Sequence, residues 1–242
     1  MAVDPALLEI AAEWRPQRPG RRKPKDIREA LVEPDWMGLR VLAVVGGGEA
    51  VFVHEGEALT LPGELPQALL ESFTAYDALI EGRLTTKALQ SSEGITLPEV
   101  PVERPSILIP KRIGGGKDDP YVRARDHEAV AQMEAPVVLA ELEAGVRHAF
   151  VATDLLWLDG TPLDDIPLLE RKRLLDTVLD ETYLIRVGPY VLDTTLQTQV
   201  TWASMGFRDL HYRSRNSRYL AGEENPDCAV AAPPTHVSQG RR

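Results

Sequence analysis

A glycine run ending in lysine is the first feature of this sequence with a spacing suited to phosphate chemistry. Glycines 114–116 precede Lys117, and a glycine-rich loop that ends in lysine is a common way to bind phosphates. Here no Ser or Thr follows the lysine, and residues 118–120, Asp-Asp-Pro, do not begin a convincing helix. We therefore interpret this stretch as a flexible loop, with a phosphate contact as the alternative.

Three acids are candidate ligands for a metal-dependent reaction. Glu33 and Asp35 stand two residues apart, so they share one face if this segment is a strand, and Glu81 follows in a second strand-like run. Carboxylate oxygens are the ligands that Mg²⁺ prefers. A metal-dependent hydrolase that uses these three acids is therefore one hypothesis for this chain. The alternative is that two acids at this spacing mark a solvated strand edge.

A cluster of positive charge lies near the N-terminus. Residues 15–25 contain six cations and no acid, and removing these six charges from the net charge of −10 leaves −16 for the rest of the chain. A basic, proline-rich arm of this kind is suited to gripping nucleic-acid phosphates. The alternative is a solvated linker. The six cations are Arg15, Arg18, Arg21, Arg22, Lys23 and Lys25.

The composition excludes several other classes of protein. Cys228 is the single cysteine, so no internal disulfide framework exists, and a reducing compartment is expected. No apolar run approaches the roughly 18 residues of a membrane span. The first 14 residues carry no early basic cluster of the kind that begins a secretory signal. We expect a cytoplasmic protein.

The residue pattern predicts strands and helices in an α+β arrangement. A glycine-linked β-hairpin is the clearest local feature, because Gly46-Gly47-Gly48 joins two β-rich runs. Residues 87–126 give no clear prediction, and the chain from 221 onward is predicted to be a loose tail. The remaining predictions are helices at 5–14, 64–73, 167–179 and 193–205, with Asp193 as a cap, and strands at 39–45, 50–54, 76–85, 150–157 and 208–213.

One long segment resembles a known family. Residues 150–179 read FVATDLLWLDGTPLDDIPLLERKRLLDTVL. This segment resembles the middle of bacterial ATP-dependent DNA ligases of the repair type, where Phe-Asp-Leu-Leu precedes an aromatic residue, Leu-Asp-Gly and a Pro-Leu-x-x-Arg helix. Three flanking motifs then align in order. They are EPDWMGLR at 33–40, EGR at 81–83 and GFRDLHYRSRNSRYLAG at 206–222.

The resemblance implies a fold and a domain organisation. It implies an ATP-grasp-like nucleotidyltransferase core of two packed antiparallel sheets with flanking helices. We expect a helix and basic arm at 1–30, the ligase-like domain at 31–222 and a flexible tail at 223–242. The family's last Lys-x-Lys motif is not found, and we expect no oligonucleotide-binding-fold domain. The family uses ATP and Mg²⁺ and acts on DNA.

The family's catalytic positions carry other residues in this chain. The lysine that attacks the α-phosphorus of ATP corresponds to Asp35, and the motif-one aspartate corresponds to Met37. Two carboxylates that help hold magnesium and ribose correspond to Arg83 and Arg208, and the motif-four lysine to Arg213. Aspartate lacks the amine needed to form a phosphoramidate. Each exchange of a carboxylate for arginine turns an attraction into a repulsion of about 4 kcal/mol at 4 Å and an effective dielectric near 20.

A few nucleotide-binding positions do match the family. Glu33 corresponds to the residue that reads the adenine amino group, and Gly38 and Arg40 match the end of motif one. Asp154 matches the aspartate beside the aromatic residue that stacks on adenine, but that aromatic is Thr153 here. Gly38 and Asp154 also have structural interpretations, as a tight turn and as a hydrogen-bonded acid.

These substitutions predict a pseudo-ligase that acts as a binding or assembly module linked to DNA repair. We expect no bound ATP or metal, weak DNA binding through the basic arm, and a protein partner in a repair complex. The alternatives are an adenylyltransferase or ligase with a non-standard active site, the metal hydrolase named above, and a relic without a selected role.

Overall fold

The structure is a computed structural model that describes residues 3–90, 120–192 and 194–233, with the backbone path alone at 90 and 120–126. Six α-helices and a short 3₁₀ helix at Pro24–Asp26 lie within these ranges. No helix in them is long and apolar enough to cross a membrane. The helices are α1 (Pro5–Glu13), α2 (Glu64–Ser72), α3 (Lys87–Gln90), α4 (Pro120–Glu143), α5 (Leu168–Val178) and α6 (Leu196–Ser204).

The strands form one large and one small sheet plus a two-residue pairing. They are β1 (Arg18–Pro19), β2 (Ala30–Pro34), β3 (Leu39–Gly46), β4 (Glu49–His54), β5 (Glu57–Ala58), β6 (Asp77–Thr85), β7 (Ala149–Leu158), β8 (Thr161–Pro162), β9 (Ile185–Val187), β10 (Val191–Leu192), β11 (Leu210–Ser214), β12 (Glu224–Asn225) and β13 (Cys228–Ala231).

The large sheet has the order β5-β4-β3-β6-β7-β8, and β9 pairs in parallel with β7. Its other pairings are antiparallel. The predicted hairpin is confirmed: β3 and β4 pair across a turn in which Gly47 and Gly48 both have positive φ. Glycine adopts this conformation without the penalty of a Cβ atom.

Each face of the large sheet supports its own core. Residues of β3 alternate between them: Leu39, Val41, Ala43 and Val45 pack beneath α2, α3, α4 and α5. On the opposite face α1 packs through Leu7, Ala11 and Trp14 against residues that include Leu42 and Val44. Because strand side chains alternate, Arg40 lies on this second face with Leu42 and Val44.

The small sheet has the order β10-β2-β11-β13, and all its pairings are antiparallel. One face carries a third core that contains Val32, Leu210 and Tyr212, covered by Trp202 of α6. The alternate residues of β2 and β11, Glu33 and Arg213 among them, therefore point from the other face. The fold is thus the predicted α+β arrangement of two antiparallel sheets with flanking helices.

The segment predicted as a flexible tail is ordered over much of its length. β13 pairs with β11 along four residues, from Leu210–Ala231 to Arg213–Cys228. The tail prediction at 223–242 is therefore wrong for this strand and for β12, because burial of apolar residues such as Val230 orders the backbone. Residues 234–242 lie outside the described residues.

The basic arm is ordered as well, which argues against the linker alternative. β1 pairs in parallel with β12, and the buried side chain of Gln17 accepts a hydrogen bond from Asn225 at 2.8 Å. A Cβ atom at Gly20 would lie 2.5 Å from the Asn225 carbonyl oxygen, so the backbone approach there requires glycine.

Helix α4, with 24 residues, was not predicted from the sequence. It contains Pro136 in its interior, and proline normally interrupts a helix. The proposed helix cap Asp193 and the glycine run before Lys117 lie outside the described residues. Thr195 caps α6 instead, and its hydroxyl accepts a hydrogen bond from the Thr198 amide at 3.2 Å.

Candidate functional site

The residues aligned with the ligase motifs meet in a cleft between the two sheets. A cavity there is lined by residues of β2, β3, β6, β7 and β11. Glu33 of β2 and Asp35, which directly follows β2, both line this cavity, and the neighbouring strands supply further polar residues to it. The strand alternation that builds the three cores thus also directs polar side chains of β2, β3 and β11 toward this cleft.

Glu33 is held by two cations inside the protein. The Arg213 guanidinium donates two hydrogen bonds to Oε2, at 2.7 Å from Nε and 2.5 Å from a terminal nitrogen. Lys172 of α5, whose side chain is fully buried, forms an ion pair with Oε1. Burial raises the pKa of Glu33, but the charges of Arg213 and Lys172 outweigh it and lower the pKa overall. The carboxylate is therefore ionised and already paired.

Asp154 joins the same network from β7. Its fully buried carboxylate accepts hydrogen bonds from Arg171 at 2.8 and 3.0 Å and from Arg213 at 3.0 Å. It also accepts one from the Leu155 amide at 2.9 Å. Burial raises the pKa of Asp154, but the cations lower it to about 2. Asp154 is thus a hydrogen-bonded acid whose contacts with Arg171 and Arg213 connect α5 to β11.

Arg40 is paired inside the cleft too. Its Nε donates to Glu81 Oε1 at 2.5 Å, and the guanidinium also donates to the Gln17 carbonyl at 3.0 Å. Gln17 belongs to the basic arm, so Arg40 ties the arm to β6. Glu33 and Glu81, two acids of the metal-hydrolase hypothesis, are therefore bound by cations rather than directed at a shared metal position.

Asp35 has a different environment. His127 Nε2 lies 3.0 Å from Oδ2, and His211 Nε2 lies 3.1 Å from Oδ1. A terminal nitrogen of Arg83 lies 3.5 Å from Oδ1. Burial raises the pKa of Asp35, but the two histidines, with His127 the stronger, hold it well below its usual range. The ligand atoms of Asp35, His127 and His211 lie within 4.8 Å of one another, so these three residues could hold a metal ion.

A second, small cavity adjoins Asp35 beneath α4. Its lining includes Met37, Arg83, His127, Glu134 and Arg208. Glu134 Oε1 is buried and has no hydrogen-bond partner among the described residues. Burial raises the pKa of Glu134, although the Gly38 amide and the charge of Arg83 oppose this shift. Two arginines, at the positions that the resemblance aligns with metal ligands, therefore line the same cavity as the acids Asp35 and Glu134.

Gly38 has a structural reason for being glycine. Its φ is +131°, and a Cβ atom there would lie 2.2 Å from the Leu84 carbonyl oxygen. Any other residue would collide with β6, so the backbone path after β2 depends on this position.

The main cleft cavity has a volume of about 60 Å³, against roughly 300–1,000 Å³ for small-molecule sites in general. Thr153, at the position of the adenine-stacking aromatic, lines it and donates a hydrogen bond to the Glu81 carbonyl at 3.2 Å. Arg83 and Arg208 stand where the resemblance places magnesium ligands, and arginine offers no lone pair to a metal. These residues do not fit ATP and Mg²⁺.

The basic arm presents its cations outward. All six are exposed, although Arg21 and Arg22 form surface ion pairs with Glu224 and Asp227. Such exposed ion pairs contribute little to stability, so both arginines can pair with other anions instead. Arg18 also lines a cavity of about 440 Å³ between the arm and α4. The cations predicted to contact nucleic acid thus share one ordered segment.

Residues of this site that were not predicted from the sequence include His127, Glu134, Lys172 and His211. His211 lies two residues before Arg213 in a predicted strand, so strand alternation alone indicates that both face the same side. His127 and Glu134 belong to α4, which was not predicted. Lys172 is one of three consecutive cations in α5, and such residues usually point to solvent.

Comparison with solved structures identifies the fold. The ligase domain of LigD from M. tuberculosis is similar with 17% identity and a TM-score of 0.57, over 91% of this chain and 60% of that chain. A mycobacterial DNA ligase D complexed with ATP and MES has 16% identity and a TM-score of 0.55, over 90% and 59%. A Chlorella virus DNA ligase-adenylate has 12% identity and a TM-score of 0.50, over 89% and 66%.

The protein has the fold of the nucleotidyltransferase core of ATP-dependent DNA ligases, as the sequence resemblance implies. No protein-family model matches the chain, and neither does any curated protein. The chain spans about 60% of the length of the first two ligase structures. At these identities the likeness establishes the fold, and the chemistry rests on the residues of the cleft.

Proposed function

We propose that this protein is a pseudo-ligase: a DNA-ligase-fold module that binds nucleic acid without catalysing adenylyl transfer. The proposal rests on the contacts made by the residues that the resemblance assigns to nucleotide binding. Glu33, Arg40 and Asp154 are each committed to internal ion pairs. Breaking them to admit a ligand would leave buried charges unpaired, at roughly 3–5 kcal/mol for each pair.

The nucleophile position supports the same conclusion. The resemblance places Asp35 where the family has its lysine, and an aspartate attacking ATP would form a labile mixed anhydride in place of a phosphoramidate. By analogy with hydrolase nucleophiles, loss of such a group costs on the order of a millionfold in rate. Arg83 and Arg208 add positive charge where a magnesium ion would stand.

Nucleic-acid binding is supported by the ordered basic arm. Six exposed cations in eleven residues offer non-specific contacts to phosphates, which release counterions. The remainder of the chain carries a net charge of −16, so among the described residues we assign the contact with a polyanion to this arm. We expect weak binding without sequence preference and a slope of log K against log salt no steeper than about −5, for six contacts.

Intact-mass measurement after incubation with ATP and Mg²⁺ tests the catalytic part of the proposal. We expect no mass gain. A gain equal to one AMP would instead support the alternative of an adenylyltransferase with a non-standard site. Peptide mapping would then locate the nucleophile among the nitrogen-bearing side chains near Glu33 and Asp35, which include His127, His211 and Lys172.

DNA binding is tested with charge-neutralising variants, because deletion of residues 15–25 would also remove the buried Gln17. Fluorescence anisotropy with labelled duplex DNA at low salt compares wild type with the triple variant Arg18→Gln, Lys23→Gln, Lys25→Gln. The matched control neutralises three exposed arginines elsewhere, Arg147, Arg173 and Arg218.

The arm variant is expected to bind at least about tenfold more weakly and to reduce the salt slope by about 2 to 3. The control is expected to bind nearly as wild type. Equal weakening in both variants, or no binding by the wild type, would contradict the role of the arm.

The proposal extends to a place in a DNA-repair assembly, with a protein partner. A cross-linking pull-down from the native cell, with the arm variant as comparison, tests this. Recovery of repair proteins in a DNase-resistant complex would support it, and recovery through DNA alone would count against a direct partner.

A further inference from the structure

Asp35, His127 and His211 come together from three separate elements at the mouth of the cleft. Asp35 follows β2, His127 lies in α4 and His211 lies in β11. The Asp35 carboxylate lies between the two Nε2 atoms, at 3.0 and 3.1 Å, and the histidine rings meet edge to face with centroids 5.0 Å apart. All three candidate ligand atoms fall within 4.8 Å of one another.

Two imidazole nitrogens and one carboxylate oxygen form a selective set of donors. Zinc and neighbouring divalent transition metals bind such sets at about 2.0–2.2 Å. Magnesium prefers oxygen ligands and an octahedral shell. The cluster is therefore suited to a different class of ion from the one that ligases use. In its metal-free form each Nε2–H donates to the carboxylate, and a bound ion would replace those two protons.

The backbone holds these ligands in place. The Asp35 amide donates a hydrogen bond to the Asp209 carbonyl at 3.0 Å, and β2 and β11 pair with His211 opposite Glu33. His211 therefore sits in β11, and Asp35 directly follows the strand that pairs with β11. The ligand atoms already lie within 4.8 Å of one another, so all three ligands need only small movements to reach bonding distance.

The adjoining cavity supplies a second, independent observation. It measures about 20 Å³ and is lined by Asp35, His127 and Glu134, which is room for one water molecule. Glu134 Oε1 is buried there without a hydrogen-bond partner among the described residues. A water molecule completing the coordination of an ion would place a donor beside this unpaired oxygen.

We infer that Asp35, His127 and His211 form a binding site for a divalent transition-metal ion of the zinc class, with water in the remaining position. The ion would fasten α4 to the small sheet and close the cleft at the position of the lost lysine. This site goes beyond the proposed function and does not depend on it, since a pseudo-ligase could lack the metal and an active enzyme could contain it.

Titration of the full-length, chelator-treated protein with Zn²⁺ and Co²⁺ tests the inference. Calorimetry is expected to give one ion per chain, and Co²⁺ is expected to give the visible absorption bands of a low-coordinate site. Zn²⁺ at about 100 times its Kd is expected to raise Tm by roughly 5–10 °C. Mg²⁺ at the same concentration is expected to leave Tm unchanged.

Variants assign the ligands. His127→Ala and His211→Ala are each expected to weaken Zn²⁺ binding by on the order of 100-fold. The matched control is His54→Ala, a half-buried histidine outside the cluster, which is expected to bind as wild type. Arg83→Gln is expected to tighten binding, because it removes a cation 3.5 Å from Asp35 Oδ1.

Circular dichroism establishes that each variant is folded, and X-ray absorption of the zinc-loaded wild type needs no variant. A spectrum with two imidazoles and oxygen would support the site. The inference is overturned if wild type does not bind Zn²⁺, if both histidine variants bind it as well as wild type, or if the spectrum contains sulfur.

Discussion

Arg213 and Glu33, 180 residues apart in the sequence, form a two-point ion pair across the adjacent strands β11 and β2, with nitrogen–oxygen distances of 2.5 and 2.7 Å. The resemblance assigns Glu33 to reading adenine and position 213 to a lysine. Here the two residues bind each other, and Lys172 completes the neutralisation of Glu33. The positions that the resemblance assigns to nucleotide binding thus form a buried structural network, which can be tested by substitution.

Restoring the lysine alone is expected to leave adenylation absent. Asp35→Lys supplies a nucleophile, but it leaves Arg83 and Arg208 at the positions where the resemblance places carboxylates. The new lysine adds a third positive charge to these two arginines, and it replaces the carboxylate that His127 and His211 contact. Intact-mass analysis with ATP and Mg²⁺ measures the result, with an active ligase as positive control. Recovery of a covalent AMP by this single change would mean that the arginines do not block the metal.

ATP with Mg²⁺ is expected to leave the melting temperature within about 1 °C of its ligand-free value at 2 mM nucleotide. A pocket with a Kd near 20 μM would give about 2.7 kcal/mol of stabilisation at that concentration, or roughly 5–10 °C for a chain of this size. Differential scanning fluorimetry with ATP, GTP and tripolyphosphate measures the shift. An ATP-specific rise would contradict us, and a rise with every polyphosphate in the absence of Mg²⁺ would identify a general anion site.

Asp154→Asn is expected to destabilise the protein strongly. The change leaves Arg171 and Arg213 without their shared buried counter-ion, and removing one partner of a buried pair typically costs about 3–5 kcal/mol. Thermal denaturation should show a Tm lower by roughly 6–20 °C. The control is Glu170→Gln, which breaks an exposed pair with Arg173 and is expected to change Tm by less than about 2 °C.

The stability difference between wild type and Asp154→Asn is expected to depend on pH in the acid range. The folded-state pKa of Asp154 is about 2, below the unfolded value near 3.9. Its contribution is therefore complete above about pH 5 and is lost as the pH falls toward 2. Urea unfolding of both proteins from pH 7 to pH 2.5 measures the difference. A difference that stays constant to pH 2.5 would mean that the ionised carboxylate is not what stabilises this network.

Glu134→Gln is expected to stabilise the protein at pH 7. Burial raises the pKa of Glu134 in the folded state, so the protein favours the neutral side chain and is weakened by the charged one. The amide removes that charge, and we expect Tm to rise by roughly 2–4 °C, which corresponds to about 1 kcal/mol. The benefit should shrink as the pH falls and disappear below the unfolded-state pKa near 4.3, where the carboxyl group is protonated in both the folded and the unfolded protein. A fall in Tm at pH 7 would mean that Arg83 and Arg208 require the charge.

The local patterns of the sequence determined much of the architecture. The glycine turn, the β-branched runs and the amphipathic face of residues 167–179 specify the β3–β4 hairpin and α5, because these signals depend on neighbours a few residues away. The Phe150–Leu179 segment was enough to indicate the ligase-like core. Helix α4 was not predicted, because Pro136 lies inside it and its apolar residues do not follow one face.

Only the tertiary structure decided how the charges are paired. The sequence contains Asp35, His127 and His211, but Asp35 and His127 are 92 residues apart, and no local pattern brings them together. Likewise a cationic run in α5 gives no sign that Lys172 is buried against Glu33. Electrostatic partners depend on distance and burial, which follow from the packing of the whole chain. The sequence thus determined which residue types stand at the positions that the resemblance aligns with the ligase motifs, and the fold decided what those residues bind.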